Sequence, residues 1–268
     1  MLHLVKPLLS DLYIHLPVGR LSQLFPEFLE NCWQPELALQ TSDLDQIGLL
    51  KLNLLRRQLD TAHLRCTIHA PFFDLNPASG DPDIKAITAR RFDQTIDFAI
   101  EIGASRIVFH PGYDPWRYAR TPEAWLNNSL EFWPALLQRA ENSDILICLE
   151  NIFDTQPAPL VDLLRQIDSP HLRHCFDIGH WFLFSKTPLK TWFEILGPYL
   201  SHLHLHDNRG RSDDHRPIGK GKINFPDLIE QLRILNCDPT ATLEAHNQKD
   251  AIRSLAALQS LLQTKKSG

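Results

Sequence analysis

The sequence contains no apolar run near the ~18 residues that a membrane-spanning helix needs. Its opening stretch, MLHLVKPLLSDLYIHL, is interrupted by Lys6, Pro7 and Asp11. It reads as neither a signal nor an anchor, and the expected location is the cytoplasm. Cysteine is scarce: Cys32, Cys66, Cys148, Cys175 and Cys237 are odd in number and widely spaced, and none belongs to a CxxC pair. That pattern argues against a disulfide framework and predicts reduced thiols, mostly in the core. Positive charge is also short. A formal net charge of -5 offers no general field for nucleic acid, and basic residues are scattered except around Arg209 to Lys222, so a nucleic-acid partner is disfavoured. A local phosphate site remains open if metals and a few arginines dominate it. Also missing are GxGxxG and Walker sequences, a GxSxG elbow, HExxH, low-complexity segments and any linker.

What is present is a repeating alternation. With 43% hydrophobic and 22% charged residues among 268, the chain can bury a sizeable core, and its length suits one barrel of strands and helices, which takes ~250 residues. Short apolar runs alternate with segments of helical period from end to end, the mark of repeated strand-helix units and a parallel sheet. Eight units are expected, with strands at Leu12 to Pro17, Glu36 to Gln40, Cys66 to Ala70, Arg106 to His110, Ile145 to Glu150, His174 to Asp177, Ser201 to His206 and Ala241 to Ala245. The expected fold class is therefore α/β, a single (β/α)8 TIM barrel spanning residues 1–268.

Helix punctuation supports this. Asp81 can cap a helix, Pro82 can take its first position and Gly103 can end it, with Ile84, Ile87, Phe92, Ile96 and Ala99 as the inner stripe. Thr121-Pro122 repeats the start signal, and Pro134 is expected to kink or divide that helix. The longest strand-to-helix loops run from Phe72 to Asp81 and from Asp207 to Asn224.

Metal-type residues stand where these apolar runs end: His69 in CTIHAP, His110 in RIVFHP, Glu150 in ILICLEN, Asp177 and His180 in CFDIGH, His204 in SHLHLHDN and Glu244 in ATLEAH. In a parallel barrel such positions share one rim. Alternation in SHLHLHDN places His202, His204 and His206 on one face. A lone strand histidine is more often a hydrogen-bonded core residue, and His202, the deepest, is expected to be one. Burying several carboxylates and imidazoles together, however, is costly without a cation. Asp213 and His215 sit one residue apart in a loop with Gly210, Gly219 and Gly221, although a solvated acidic loop is the alternative for Asp213 and Asp214. Arg209, Arg211, Arg216, Lys220 and Lys222 can bind an anionic substrate or simply face water, with Arg209 the first choice. Phe72 and Phe73 either wall the site or pack under their loop. Nitrogen and oxygen donors without sulfur suit zinc or manganese, and the share of imidazole favours zinc.

These residues resemble, over nearly the whole chain, the xylose isomerase-like barrel superfamily, also called the AP endonuclease 2 group. The motif match is strongest to endonuclease IV-type enzymes with a trinuclear zinc site. The resemblance implies nine ligands: His69 after the third strand, His110 after the fourth, the bridging Glu150 of LEN, the DxxH pair Asp177 and His180, His204 of HLxD, Asp213 and His215 of the DxH loop, and Glu244 of the last strand. It further implies two or three zinc ions that activate a hydroxide and hold a phosphate during phosphodiester cleavage, with Glu150, Glu244 and His180 in catalytic roles. Arg209, Phe72 and His206 are the expected substrate contacts. HAPFFDLNPAS departs from the DNA-repair pattern and no DNA-penetrating loops are evident. HAPFFDLNP, HPGYDPW and HDNRGRSDDHRPIGKG are more similar to small-molecule members, among them cobamide-remodelling phosphodiesterases that cut the corrinoid nucleotide loop. The expected activity is thus hydrolysis of a small-molecule phosphodiester.

The rival implied by the same resemblance is a sugar isomerase or epimerase. Such enzymes hold one Mn2+ with the positions of Glu150, Asp177, His204 and Glu244. There Glu150 and Glu244 move protons on opposite faces of a ketose carbon while His180 and Arg209 hold sugar oxygens. His69, His110, Asp213 and His215 favour the multinuclear hydrolase, because an epimerase does not need them as ligands. A barrel that binds without catalysis is the third class.

Overall fold

Eight strand segments, each too short and too apolar to stand alone, pair edge to edge until the last meets the first. A computed structural model describes residues 8–118 and 120–263 of the chain; the opening segment around Lys6 and Pro7 lies outside them. The strands are β1 (Leu12–Pro17), β2 (Gln34–Ala38), β3 (Thr67–His69), β4 (Arg106–Phe109), β5 (Leu146–Glu150), β6 (Leu172–Asp177), β7 (Leu200–Leu205) and β8 (Thr240–Leu243). They follow one another in chain order around a closed barrel. The ring closes where Leu12 and Ile14 of β1 lie beside Ala241 and Leu243 of β8, in parallel like every other pair. All strands therefore point their C-terminal ends to one rim, and the loops leaving that rim feed the outer helices.

Several boundaries differ from the expected ones. β2 begins two residues before Glu36, because Gln34 and Pro35 already pair with β1. It ends before Gln40, whose N–H turns to the Asp43 carboxylate at the start of the helix Thr41–Gln46. β3, β4, β7 and β8 stop short of Ala70, His110, His206 and Ala245, so His110, His206 and Glu244 stand just past strand ends.

The helix Pro82–Ile102 starts and stops as its sequence predicts. The Asp81 side chain accepts from the N–H groups of Asp83 and Ile84, and Gly103 takes the left-handed conformation at φ 75°. Its inner stripe is shifted, however: Phe92, Ile96 and Ala99 are buried together with Thr88, Thr95, Phe98 and Ile102, whereas Ile84 and Ile87 are 43% and 47% exposed. The cause is length. A helix of 21 residues runs about 30 Å, far more than the strand it follows, so its first turns overhang the rim. Pro134 does not divide the helix Pro122–Asn142. It lies on the exposed face, where the carbonyl that it cannot serve is open to water.

Cys66, Cys148 and Cys175 are buried thiols, Cys237 is half-buried, and Cys32, expected with the core, is exposed. It sits just beyond the helix Leu21–Glu30 in the left-handed conformation at φ 53°. Among the described residues no helix is long and apolar enough to cross a membrane.

The barrel axis is unusually polar at its lower levels. Glu36, Thr67, His202 and Thr242 are all fully buried there. His202 is the bonded core histidine that its depth predicts, reaching Glu36 Oε2 at 3.1 Å and Thr242 Oγ1 at 2.9 Å. Arg106 closes the bottom by donating to the Ser201 carbonyl at 2.9 Å.

Candidate metal centre

At the opposite rim, residues from β5, β6, β7 and β8 converge on one imidazole. Nδ1 of His204 lies 3.2 Å from Glu150 Oε1, 3.4 Å from Glu244 Oε1 and 3.9 Å from Asp177 Oδ2. Glu150 spans the rim with both oxygens. Oε2 faces Nε2 of His69 and of His110 at 3.3 Å each, while Oε1 also faces His180 Nδ1 at 3.2 Å. On the far side Asp213 Oδ2 meets His180 Nε2 at 3.3 Å and His215 Nε2 at 2.9 Å. All nine residues expected as ligands from the sequence thus come together, with Glu150 bridging a pair of histidines to the central group.

The electrostatics show what this arrangement lacks. Burial raises the pKa of Glu150, yet the imidazoles of His204 and His110 outweigh it and hold the carboxyl well below its usual range. Glu244 is likewise raised by burial and pulled down to about 2 by His204, His215 and His206. Conversely, burial lowers His204, but the groups it faces, among them Glu244 and Glu150, hold it well above the usual imidazole range. His215 is driven up to about 9 against its own burial by Glu244 and Asp213. In the chain alone, protons on imidazoles balance the carboxylates. A divalent cation performs the same neutralisation and takes the place of those protons. Nδ1 and Nε2 of His204, Nδ1 of His206 and Oε2 of Glu244 are buried without an aligned hydrogen-bond partner, which is costly unless something else engages them. Triads His69–His110–Glu150 and His69–His204–Glu244 each bring their donor atoms within 4.8 Å of one another. The donor set fits a divalent metal of the zinc or manganese type.

Of the expected substrate contacts, Phe72 stands at the site. Its ring stacks on His110 with centroids 4.3 Å apart and planes 20° apart, and it meets His69 edge-on at 5.7 Å. Phe73 does not pack under the loop but is 74% exposed beside it. Arg209 is exposed on its loop, and its charge acts on Asp214 rather than on the cluster. His206 is the clear departure. It is fully buried, with Nε2 3.1 Å from Asp177 Oδ2, and stacks on His215 at 4.0 Å. Gly179 roofs it so closely that a Cβ there would lie 2.0 Å from its Cε1. Sandwiched in this way, His206 is covered on its faces and belongs with Asp177, His180, Asp213 and His215 among the clustered donor residues.

The loop after β7 divides its acidic pair. Asp213 turns to the histidines, while Asp214 turns to Arg216 and Ser212. Buried Asp207 sets that shape by accepting from the N–H groups of Gly219, Gly221 and Ile223 at 3.0, 2.7 and 3.1 Å.

Sequence reasoning passed over several partners of the site. Asn151, next to Glu150, clamps β5 to β6 by donating to the Asp177 carbonyl and accepting from its N–H, both at 2.9 Å. Its place inside the LEN motif was the available signal. Asp154 is 2% exposed, and burial pushes its carboxyl up to about 7. His15 and Glu36 come from β1 and β2, where so few polar residues in short strands carried no clear pattern. A cavity of about 100 Å³ opens after β8 beside Ala245, lined by His15, Arg20, Trp33 and His246 among others.

Comparison with known proteins places this geometry in a lineage. An uncharacterized protein of Methanocaldococcus jannaschii is 31% identical over 211 residues, covering 76% of this chain and 72% of that protein. A probable endonuclease 4 of Mycoplasmoides gallisepticum is 28% identical over 204 residues, covering 69% and 65%. A fructoselysine 3-epimerase of Shigella flexneri is 24% identical over 199 residues, covering 71% and 70%. Among solved structures, a D-tagatose 3-epimerase-like protein superposes with a TM-score of 0.83 at 28% identity, covering 94% of this chain and 97% of its own. A Thermus thermophilus protein soaked with ZnCl2 gives 0.80 at 30% identity with the same coverage. The profile of the xylose isomerase-like TIM barrel family matches residues 27–262, and the chain belongs to that family.

Proposed function

We propose that the protein is a divalent-metal-dependent isomerase or epimerase of a sugar or sugar-like substrate, with Glu150 and Glu244 as the proton-moving groups. The observation that carries this reading is the meeting of Glu150, Asp177 and Glu244 around Nδ1 of His204. Two carboxylates, one ending β5 and one just past β8, thereby lie within 3.4 Å of one point. Its similarity to a D-tagatose 3-epimerase-like protein and to a fructoselysine 3-epimerase favours this chemistry over the phosphodiester hydrolysis expected from the sequence. Glu150, Asp177, His204 and Glu244 would hold the metal, which when bound polarises a carbonyl or alkoxide oxygen. A carboxylate on one face of the adjacent carbon then removes a proton and its counterpart returns one on the other. Phe72, stacked on His110, offers an apolar surface beside the site.

Hydrolysis of a small-molecule phosphodiester is the second reading, and a specific observation favours it. His69 and His110 on Glu150, and His180 and His215 on Asp213, form flanking groups that a one-metal epimerase does not need. Similarity to a probable endonuclease 4 points the same way. The substrate class proposed for either reaction is a small molecule rather than nucleic acid, in line with the net charge of -5.

One paired assay separates the two. Proton exchange of ketoses in D2O and release of product from small phosphodiesters are measured on the same Mn2+- and Zn2+-loaded protein, with Glu244→Gln alongside. The epimerase reading expects exchange that falls about 10²- to 10⁴-fold in the variant. Phosphodiester turnover without exchange, lost in His69→Ala, would overturn it in favour of the hydrolase.

A further inference from the structure

Below the edge of His204 that faces the carboxylates, the barrel axis holds a charged group that the proton-transfer chemistry does not use. Glu36 comes from the middle of β2 and is fully buried. Its two oxygens are divided. Oε2 is tied to the barrel wall, accepting from Thr67 Oγ1 at 3.1 Å and Thr242 Oγ1 at 2.9 Å, with His202 Nε2 at 3.1 Å. Oε1 lies 3.1 Å from Nε2 of His204. The Oε1–Nε2 pair is close without being aligned as a hydrogen bond, so Glu36 acts on that edge of the ring as a nearby fixed anion.

The placement has a consequence for His204. A neutral imidazole carries one N–H and one lone pair. Where a cation offsets the three carboxylates on the Nδ1 side, the anion fixed on the Nε2 side favours the ring's single proton there and leaves the lone pair on Nδ1. Nδ1 is the atom that faces Glu150, Glu244 and Asp177, the side on which a cation would be held. A buried carboxylate is costly without partners, and three groups on Oε2 hold it where only His204 remains for Oε1.

We propose that Glu36 is a positioning residue that fixes the tautomer and ring orientation of His204 as a metal ligand. The inference rests on the metal centre proposed above. Glu36 touches neither substrate nor metal; it acts through the histidine, in the manner of carboxylate–histidine–metal arrangements.

The test compares wild type, Glu36→Gln and Thr242→Val by chelator competition with Zn2+ and Mn2+, by the visible spectrum of the Co2+-loaded protein, and by melting temperature without metal. Glu36→Gln is expected to bind its tightest ion about 10- to 100-fold more weakly and to shift the Co2+ absorption bands. Thr242→Val keeps Glu36 but removes one anchor, and should weaken binding by at least about threefold. A purely structural role would lower the melting temperature and leave affinity and spectrum unmoved, which would overturn the proposal. If Glu36→Gln does not fold, unchanged affinity in Thr242→Val overturns it instead. Wild-type protein that binds no ion would overturn the metal centre along with this inference, whereas tight wild-type binding that Glu36→Gln shares would overturn the inference alone.

Discussion

At the residue scale, the candidate site is built from carboxylates and imidazoles that would be costly to bury singly and become tolerable together. Glu150 is the clearest case: 1% exposed, facing His69, His110, His180 and His204. Asp154 is a contrasting case, because burial outweighs the backbone N–H groups that its carboxyl accepts from, Ile152 at 3.0 Å among them. Its carboxyl titrates at about 7 in the folded chain against 3.8 for an ordinary aspartate. Between those values the folded state binds the extra proton, so this group makes stability fall as pH rises from about 4 through 7 and level off above. Asp154→Asn removes that contribution. Urea unfolding at pH 5 and pH 8 should show a smaller loss of stability in the variant than in wild type, and an equal loss would contradict the burial argument.

At the element scale, the loop after β7 shows how backbone geometry presents chemistry. Asp207 gathers the N–H groups of Gly219, Gly221 and Ile223, and the loop so folded delivers Asp213 and His215 to His180. Gly221 is needed because a Cβ there would come within 2.2 Å of both the Asn208 carbonyl and Asp207 Oδ1. Gly221→Ala should therefore cost about 1–3 kcal/mol of stability and reduce turnover at least about tenfold by misplacing Asp213 and His215. Thermal melts and steady-state kinetics check this; a variant with wild-type melting and turnover would show that the loop tolerates the shift.

The same loop marks what is legible in the sequence and what is not. Strand-end residues such as His69, Glu150 and Glu244 are visible because a parallel barrel sends every strand end to one rim. The inward turn of Asp213 is suggested by its spacing from His215, but the sequence leaves it open against a solvated loop. Glu36 and His15 are hidden because one or two polar residues in a five- or six-residue strand are too few to mark a face. His206 is misplaced because alternation fixes the face of a strand but not the covering by Gly179 and His215. Ile84 and Ile87 are misassigned because the 3.6-residue pattern says nothing of how far a helix outruns its strand.

At the scale of the whole molecule, the closed barrel is the device that makes distant segments neighbours: β2 and β7 supply Glu36 and His204 to one axis although 168 positions separate them (204 − 36). A rigid ring keeps the donor atoms close whether protons or a cation balance the carboxylates, and an ion that binds the folded chain alone should add stability. Saturating metal should accordingly raise the melting temperature and chelation should lower it, by several degrees for an ion held at a hundred times its dissociation constant.

The most direct measurement is equilibrium binding of Zn2+ and Mn2+ to the purified, chelator-stripped chain, with stoichiometry read by elemental analysis. The account predicts at least one tightly held ion per chain, abolished when Glu150, Asp177, His204 and Glu244 are replaced together by alanine in a variant that still folds. A folded wild-type chain that binds neither ion, or a replaced chain that binds as well as wild type, would contradict it.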